Sequence, residues 1–389
     1  MARGKIVSKL YIGLVYALFF LIALIILRAA YAGMSSEELS LSDGRYYMLL
    51  DVVLMLNIFI SFVHLRHTPR LIYVVFIWTL FQLLQLVISG YDITFIFRLL
   101  SWPIMFIALY YYALSTDTKF ALKIFFWGLV LLSAFSVYNE MHVRQLIDIG
   151  GLNEVYWVLL GLPFAYCMSD KKLKYIAIIV IAYVVLLSMK STAFLAIVIA
   201  ILAGWAVEGE MKSKSLVIMT VTMVVFFILW PMISDYLAST FNVVWIDKYN
   251  ESVETGGSGR LEIWSKTLSA IAGSSFKEFF FGHGHNSVYK AIGFSAHNDF
   301  LEVMYDYGII AFSLYILFYY YLVATLNRML KTNFRLKAAF AVSLTLFFTV
   351  SFLSHLMIYP GLMLHLAAFW GLSVGCFVKQ RYFNNAIHS

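Results

Sequence analysis

The sequence predicts an all-α polytopic membrane protein. Of its 389 residues, 62% are hydrophobic and only 13% are charged, and the mean hydropathy is +0.85. A soluble core cannot bury that much apolar surface, whereas a bilayer accommodates it in helices of about 20 apolar residues. The net charge of +7 therefore bears first on orientation in the membrane, and it does not indicate nucleic-acid binding. No cleavable signal peptide is expected, because the first apolar run is too long.

Apolar runs near the spanning length recur about twelve times along the chain. The predicted spans are Leu10–Ala30, Met48–Leu65, Leu71–Ser89, Ile93–Leu114, Phe120–Tyr138, Val155–Met168, Tyr175–Met189, Thr192–Ala206, Ser215–Ile233, Gly308–Leu326, Ala338–Tyr359 and Leu362–Val378. The two cysteines, Cys167 and Cys376, both fall within these apolar runs. This placement argues against a disulfide framework and against a zinc site.

Basic residues set the predicted orientation, because they cluster on alternate connections. The clusters are Lys5 with Lys9, Arg66 with Arg70, Lys171 to Lys174, Lys212 with Lys214, Arg328 to Lys337, and Lys379 with Arg381. The positive-inside rule then places both termini in the cytoplasm. We expect residues 1–389 to form one integral-membrane domain, with a single large outer connection at 235–307.

The large outer connection is too rich in aromatic residues to be a flexible linker, and we expect it to fold against the membrane face. The predicted elements are a helix over Ser258–Ala272, a loop over Gly282–Phe294 and a second helix that starts near His297. The chain shows no internal repeat, which argues against a transporter built from inverted halves.

His297 is the first candidate for chemistry. It follows Ser295, which we predict as the helix N-cap, and the positive end of a helix favours the neutral imidazole that a general base needs. Asn298, Asp299 and Glu302 could orient the ring or bind sugar hydroxyls. The alternative is a histidine that caps or packs at the membrane interface.

Arg260 is the second candidate, and it follows a stretch with three glycines at 256, 257 and 259. A guanidinium at a helix N-terminus is electrostatically unfavourable unless an anion also binds there, and a pyrophosphate would suit both groups. The alternative is a solvated surface arginine that pairs with Glu262 or Asp247.

Two further cations are candidates for substrate binding. Lys190 marks a sharp outer corner between two short spans, where it could hold a phosphate or serve as an interface anchor. Arg98 lies about two helical turns inside a span, where an unpaired charge costs about 3 kcal/mol, so it must face a polar cavity or a partner. Function and structural anchoring both remain open for it.

His283 and His285 form a Gly-His-Gly-His run and could bind a metal ion if that segment is extended. A third ligand with suitable spacing is not visible, so we expect the two histidines to line a sugar pocket or to face solvent. We expect neither a metal ion nor a cofactor. His355 and His365, near the outer ends of the last two spans, are interpreted as packing residues.

In combination, these motifs resemble those of the bacterial O-antigen ligases and the Wzy-type O-antigen or capsule polymerases. The resemblance covers the second half of the chain. It consists of an R-x-x-I/M-W/Y helix opening (Arg260, Ile263, Trp264), a G-x-G turn (Gly282, Gly284), an HN-x-x-L/I-E segment (His297, Asn298, Leu301, Glu302) and a Gly-Ile-Ile at Gly308. The corner at Met189–Phe194 resembles the family's T-R-x-x-x-L corner, with Lys190 in place of the arginine.

The resemblance implies a GT-C-like glycosyltransferase of the bacterial inner membrane, whose active site faces the periplasm. Its substrate would be an undecaprenyl-diphosphate-linked oligosaccharide, with Arg260 on the diphosphate and His297 as the base or orienter of the acceptor hydroxyl. Lys190 keeps the charge of an arginine but loses the bidentate fork. Arg98 has no counterpart in the family motifs.

Within this superfamily, the lysine at the corner, the compact loop and the HNDFLE segment favour a polymerase over a ligase. A lipid-linked oligosaccharide flippase is a third alternative. The expected partners are the lipid-linked oligosaccharide and membrane lipid, with room for a protein that regulates chain length, and nucleic acid is not expected.

Overall fold

The computed structural model describes residues 2–31, 36–60, 68–91, 93–143, 155–188, 190–209, 260–357 and 360–388. These residues form helices joined by short turns, and none of them lies in a strand. In chain order the helices are α1 (Ala2–Tyr31), α2 (Ser36–Ile60), α3 (Arg70–Ile88), α4 (Ile93–Ser115), α5 (Lys119–Val143), α6 (Val155–Leu159), α7 (Leu162–Tyr166), α8 (Lys171–Ser188), α9 (Ser191–Glu208), α10 (Arg260–Ala272), α11 (Phe276–Phe281), α12 (Ser287–Ile292), α13 (Asp299–Leu330), α14 (Lys337–Leu353) and α15 (Pro360–His388).

Within the described ranges, six helices are long and apolar enough to cross a membrane. Their apolar windows are Ser8–Ile25, Arg70–Ile88, Phe95–Ser115, Lys119–Tyr138, Asp299–Leu330 and Gly361–Arg381, and shorter apolar helices occupy Val155–Tyr166, Thr192–Glu208 and Lys337–Leu353. The all-α polytopic fold is therefore confirmed, and the total of about twelve spans stays a prediction. The predicted span Ser215–Ile233 lies outside the described residues.

Two predicted elements differ from the structure. The span Val155–Met168 is two short helices, α6 and α7, because Pro163 lacks an amide hydrogen and fits only the first turn of a new helix. The connection Tyr31–Tyr47 is largely helical, since α2 begins at Ser36. The predicted span Val155–Met168 is therefore divided in two, and the helix of the predicted span Met48–Leu65 begins well before its apolar part.

The centre of the bundle is the packing of α15 against α4. Gly371 and Gly375 lie one turn apart on α15, and a side chain at either position would collide with the backbone carbonyl of Phe106 or Tyr110 on α4. Small residues spaced in this way let two helix backbones approach closely inside a membrane.

The predicted cytoplasmic connections meet at one end of the bundle. The contacts there are Lys9 with the Phe120 ring, Lys379 with the Thr116 carbonyl, Arg335 with the Cys167 carbonyl, Lys174 with Glu208, and the Phe334 ring with the Phe377 ring. Helix α9 ends at this end and α14 begins there. The opposite ends of α9 and α14 are therefore remote from the basic connections, and the candidate active site lies at those opposite ends.

Candidate active site

Four separate elements bring cationic and imidazole side chains together. Lys190 immediately precedes α9, Arg260 is the first residue of α10, His297 lies two residues before α13, and His355 lies two residues after α14. The charges of Lys190 and Arg260 act on both imidazoles. The structure thus brings together three of the predicted site residues and adds His355; we call these four residues the active-site cluster.

Arg260 faces α9 and does not extend into solvent as a surface arginine would. Its Nη2 donates a hydrogen bond to the Thr192 hydroxyl at 3.1 Å, and the buried Tyr156 lies nearby. Burial lowers the pKa of the guanidinium from its ordinary value. Glu262 pairs with Lys266 at 2.6 Å on the exposed side of α10, so the alternative pairing of Arg260 with Glu262 is wrong. Asp247, the other proposed partner, lies outside the described residues.

The backbone that carries His297 is fixed from two sides. The Trp264 indole donates to the carbonyl of Ala296 at 2.8 Å, and the amide of Ala296 donates to the Glu302 carboxylate at 2.7 Å. His297 itself has a φ of 51°, in the left-handed region that residues other than glycine seldom adopt. Such a backbone persists only where its surroundings hold it, and functional sites are common places for it.

Asn298 is the N-cap of α13, whereas we had predicted Ser295. Its side-chain oxygen accepts from the amides of Phe300 and Leu301, at 3.0 and 3.2 Å, and its side-chain nitrogen donates to the carbonyl of Phe352 at 3.1 Å. His297 therefore precedes the helix and does not share a helical face with Leu301. Asn298 and Glu302 are buried and bonded to backbone groups, which fits the orienting alternative better than contact with a sugar.

His297 and His355 stack against each other. Their ring centroids lie 4.9 Å apart and their planes differ by 20°. His297 is half-buried, whereas His355 is only 2% exposed. One imidazole of the pair can therefore meet a substrate, and the other forms the surface behind it.

Both imidazoles are neutral at physiological pH. Burial lowers the pKa of His297 to about 4, and the positive charges of Lys190 and Arg260 add to the effect. The pKa of His355 falls to about 3, first through burial and then through His297, Lys190 and Arg260. The neutral form that we expected for His297 thus has a different main cause from the helix dipole, namely burial beside two cations.

Arg98, His285 and Tyr307 form a second polar cluster. Burial and the charges of Arg98 and Lys290 lower the pKa of His285 to about 4, and its Nδ1 lies 2.6 Å from the Tyr307 hydroxyl. The Arg98 guanidinium also lies over the ring of Tyr47, 6.0 Å from its centroid. Arg98 and His285 therefore belong to a polar group different from the active-site cluster.

His283 points away from His285. Its ring stacks on Tyr305 with a centroid distance of 4.0 Å, and its Nε2 lies 3.7 Å from the Glu278 carboxylate. Because Tyr305 and Tyr307 project from different faces of α13, histidines held by these two tyrosines do not converge. The common direction that a metal ion would require is not found in this run.

The G-x-G turn and the Gly-Ile-Ile segment have a shared structural role. Gly282 has φ and ψ of 77° and 177°, and Gly308 has 77° and 179°, a region open almost only to glycine. A side chain at Gly282 would collide with the backbone of Asp306, and one at Gly308 would collide with the backbone of Phe280. Gly308 interrupts the helical conformation of α13, and the backbone of Gly282 contacts it there. This contact docks the Gly-His-Gly-His run on α13.

Asp306 completes this docking. Its carboxylate accepts the amides of Asn286, Ser287 and Val288 at 2.7, 2.9 and 3.0 Å, which fixes the start of α12. The predicted loop Gly282–Phe294 therefore contains a short helix. It is anchored to α13 by hydrogen bonds at both the glycine turn and the helix start.

A comparison with protein families agrees with these motifs. Residues 176–316 match the family model described as O-antigen ligase, about a third of the chain. The chain carries an O-antigen ligase-like domain. This confirms the resemblance found in the sequence, and no curated protein matches the chain significantly. Lys190, Arg260 and His297 lie within the O-antigen ligase-like domain, whereas Arg98 and His355 lie outside it.

Sequence reasoning missed the part that His355 takes in this site. His355 follows His297 by 58 positions, and only the antiparallel return of α14 along α13 brings their rings together. The available signal was the position of His355 near the predicted outer end of the penultimate span. Thr192 and Tyr156 carried no signal, because hydroxyl residues are common in apolar helices.

Proposed function

We propose that the protein is an O-antigen polymerase-type glycosyltransferase, which joins undecaprenyl-diphosphate-linked oligosaccharide repeat units. One observation carries the proposal. Two cations and a neutral, accessible imidazole come from three separate elements and converge at one site, within a domain of O-antigen ligase type. Such a site can bind a diphosphate and activate a hydroxyl group next to it.

The reaction would be a single displacement. The acceptor hydroxyl oxygen attacks the anomeric carbon of the donor, and its proton passes to the neutral ring of His297. The bond from the anomeric carbon to the diphosphate oxygen breaks, and the diphosphate leaves with the electron pair. Arg260 and Lys190 stabilise the negative charge that develops on it. A displacement without a covalent intermediate inverts the configuration of the anomeric carbon.

No divalent cation is needed in this proposal, because Lys190 and Arg260 supply the positive charge that the diphosphate requires. Activity should survive chelation by EDTA, and a strict requirement for a divalent cation would contradict the proposal. The donor sugar is already activated by its diphosphate leaving group, so no nucleotide cofactor is invoked. Direct substrate contacts of Arg98, Asn298, Glu302 and His285 remain predictions, whereas the contact predicted for His283 is not part of the proposal, because that ring stacks on Tyr305 and lies next to Glu278.

We place the active-site cluster on the periplasmic side of the bacterial inner membrane. It lies at the ends of α9 and α14 that are opposite to the gathered basic connections, and basic connections are typical of the cytoplasmic side. Lipid-diphosphate donors would be available there. A protein that regulates chain length would be a further partner on that side.

A ligase is the second candidate, because the matched family model is described as O-antigen ligase. The two activities share the same chemistry and differ in the acceptor, which is a lipid-linked repeat unit for a polymerase and lipid A–core for a ligase. Lys190 at the corner and the compact loop favour the polymerase.

Deletion of the gene in a polysaccharide-producing strain separates the two candidates. Loss of a polymerase leaves core with a single repeat unit, and loss of a ligase leaves bare core with polymer still on its lipid carrier. A purified sample in detergent separates both from a flippase. A product ladder formed from lipid-linked repeat units requires an enzyme, whereas a transporter has no function without a sealed bilayer.

A further inference from the structure

The position of His355 calls for an explanation, because a buried imidazole lies flat against the proposed catalytic ring. The two centroids are 4.9 Å apart, and the planes are 20° from parallel. Parallel aromatic rings at this distance attract each other and exclude water from the covered face. His355 thereby covers one face of the His297 ring and leaves the remainder accessible.

The segment that carries His355 is held by a buried carboxylate. Helix α14 ends at Leu353, and the chain then turns away from it. The Asp299 carboxylate accepts the amide of Leu356 at 2.9 and 3.0 Å and the amide of Met357 at 3.1 Å. These two amides directly follow His355, so Asp299 fixes the backbone at the position from which the ring projects.

The carboxylate is supported in turn from within the bundle. The Tyr315 hydroxyl donates to Asp299 at 3.4 Å and lies 3.2 Å from the Ser351 hydroxyl. Asp299, Tyr315 and Ser351 are fully buried. Buried, mutually bonded polar groups rigidify the elements that they join, and here they join α13 to the end of α14.

His297 needs such support because it lies outside any helix. Its left-handed backbone and its place before α13 leave the side chain without a helical rotamer preference. Lys190 and Arg260 face the same ring and would repel its protonated form. To accept a proton from a bound hydroxyl group, the His297 ring must keep one of its nitrogens pointed at that group. The plane of the ring therefore has to be held fixed.

We propose that His355 is a positioning residue that holds the ring plane of His297, and that Asp299 keeps His355 in place. His297 and Asp299 are only two residues apart, so one short segment supplies both the base and the carboxylate that secures its stacking partner. The consequence for catalysis rests on the proposed function, whereas the contact between the rings does not.

The test uses the full-length protein with histidine-selective isotope labelling, which gives nine imidazole signals to assign. His297 is titrated by NMR in the wild type and in His355→Ala, His355→Phe and Asp299→Asn, and elongation kinetics are measured on the same samples. Among the described ionisable groups near His297, Lys190, Arg260 and Glu302 are unchanged in all of these variants, and Asp299 changes only in Asp299→Asn.

We expect His355→Ala to raise the titration midpoint of His297, because water then reaches the covered face. It should lower kcat by about 10- to 100-fold with little change in KM, as expected for misplacement of a reacting group. His355→Phe keeps a flat ring, so it should restore the wild-type midpoint and most of kcat. Asp299→Asn should give a titration midpoint of His297 and a kcat that lie between those of His355→Ala and His355→Phe.

Unchanged titration and kcat in His355→Ala would overturn the proposal. Equal losses in His355→Phe and His355→Ala would overturn it too, because the imidazole nitrogens would then matter and the stack would not. If the wild type shows no transfer from any lipid-linked donor, the proposed function fails, and the titration still decides whether the two rings are coupled.

Discussion

The two histidine-bearing segments around α13 are built in opposite ways. In the Gly-His-Gly-His loop, each histidine is held by a tyrosine of α13: His283 stacks on Tyr305, and His285 lies 2.6 Å from the Tyr307 hydroxyl. In the active-site cluster, His297 contacts another imidazole and lies in the field of two cations. The comparison teaches that both histidines of the more conspicuous motif are occupied in contacts with tyrosines, while the less conspicuous motif places its histidine beside two cations, as the proposed function requires.

The largest expected effect is that of His297→Ala. Removing the proposed general base costs about 10²- to 10⁴-fold, so glycosyl transfer by the purified protein should fall by that factor. His283→Ala is the matched control from the other loop. It loses a stack on Tyr305 and a contact with Glu278, both remote from the proposed chemistry, and we expect its kcat within about threefold of wild type. Equal losses in both variants would remove the distinction between the loops.

Arg260→Gln should have the next largest effect. Loss of one group that stabilises developing negative charge costs about 10²- to 10³-fold in kcat. Arg260→Lys should recover part of the loss, because a lysine keeps the charge but cannot form the bidentate contact. Lys266→Gln on the same helix is the control, since Lys266 is 55% exposed and pairs with Glu262 at the surface of α10. An effect of Lys266→Gln as large as that of Arg260→Gln would mean that general surface charge is responsible.

Gly308→Ala should act on stability more than on chemistry. The added methyl group would collide with the backbone of Phe280, and the required φ of 77° with an extended ψ adds about 1–3 kcal/mol of strain. We expect a lower unfolding midpoint in detergent and a lower yield. Activity for each folded molecule should change much less than in His297→Ala. A Gly308→Ala variant that is fully folded but inactive would contradict this prediction, because it would indicate that the segment around Gly282 and Gly308 takes part in the reaction.

The smallest expected effect concerns pH. Between pH 8 and pH 5, protonation of His297 should cause no change in kcat/KM. Because the pKa of His297 lies at about 4 in the free protein, this ring stays neutral over the range, and its protonation should not lower kcat/KM there. It should fall only as the ring is protonated nearer pH 4. A bound diphosphate offsets the two cations, so the acid limb of kcat should lie at a higher pH than that of kcat/KM. A midpoint of kcat/KM near pH 6.5 would show that neither burial nor the cations act on the base.

The sequence was sufficient for the fold class, and it predicted three of the residues that the structure brings together. Composition and apolar periodicity predicted the all-α membrane fold, and charge outside the spans drew attention to Lys190, Arg260 and His297. The helix that starts with Arg260 ends at Ala272, as predicted. These features are local, so a pattern along the chain can carry them.

Features that depend on tertiary contact could not be predicted in this way. Nothing near Gly282 indicates that it crosses Gly308, and nothing near His355 indicates a ring stacked on it. The HNDFLE segment is a further example, since Asn298, Asp299 and Glu302 all bond to backbone groups of neighbouring segments. The sequence predicted a role for these polar residues, and the structure shows that they join neighbouring segments.

The most direct test of the central claim is the titration of His297 with and without a short-chain polyprenyl diphosphate. If Lys190, Arg260 and His297 share one binding site, the anion must offset the two positive charges and raise the pKa of His297 by about one unit or more. The rise should disappear in Arg260→Gln, while Lys266→Gln should show it in full. A midpoint that stays at about 4 in the saturated wild-type protein would contradict the account, because the diphosphate would then bind elsewhere.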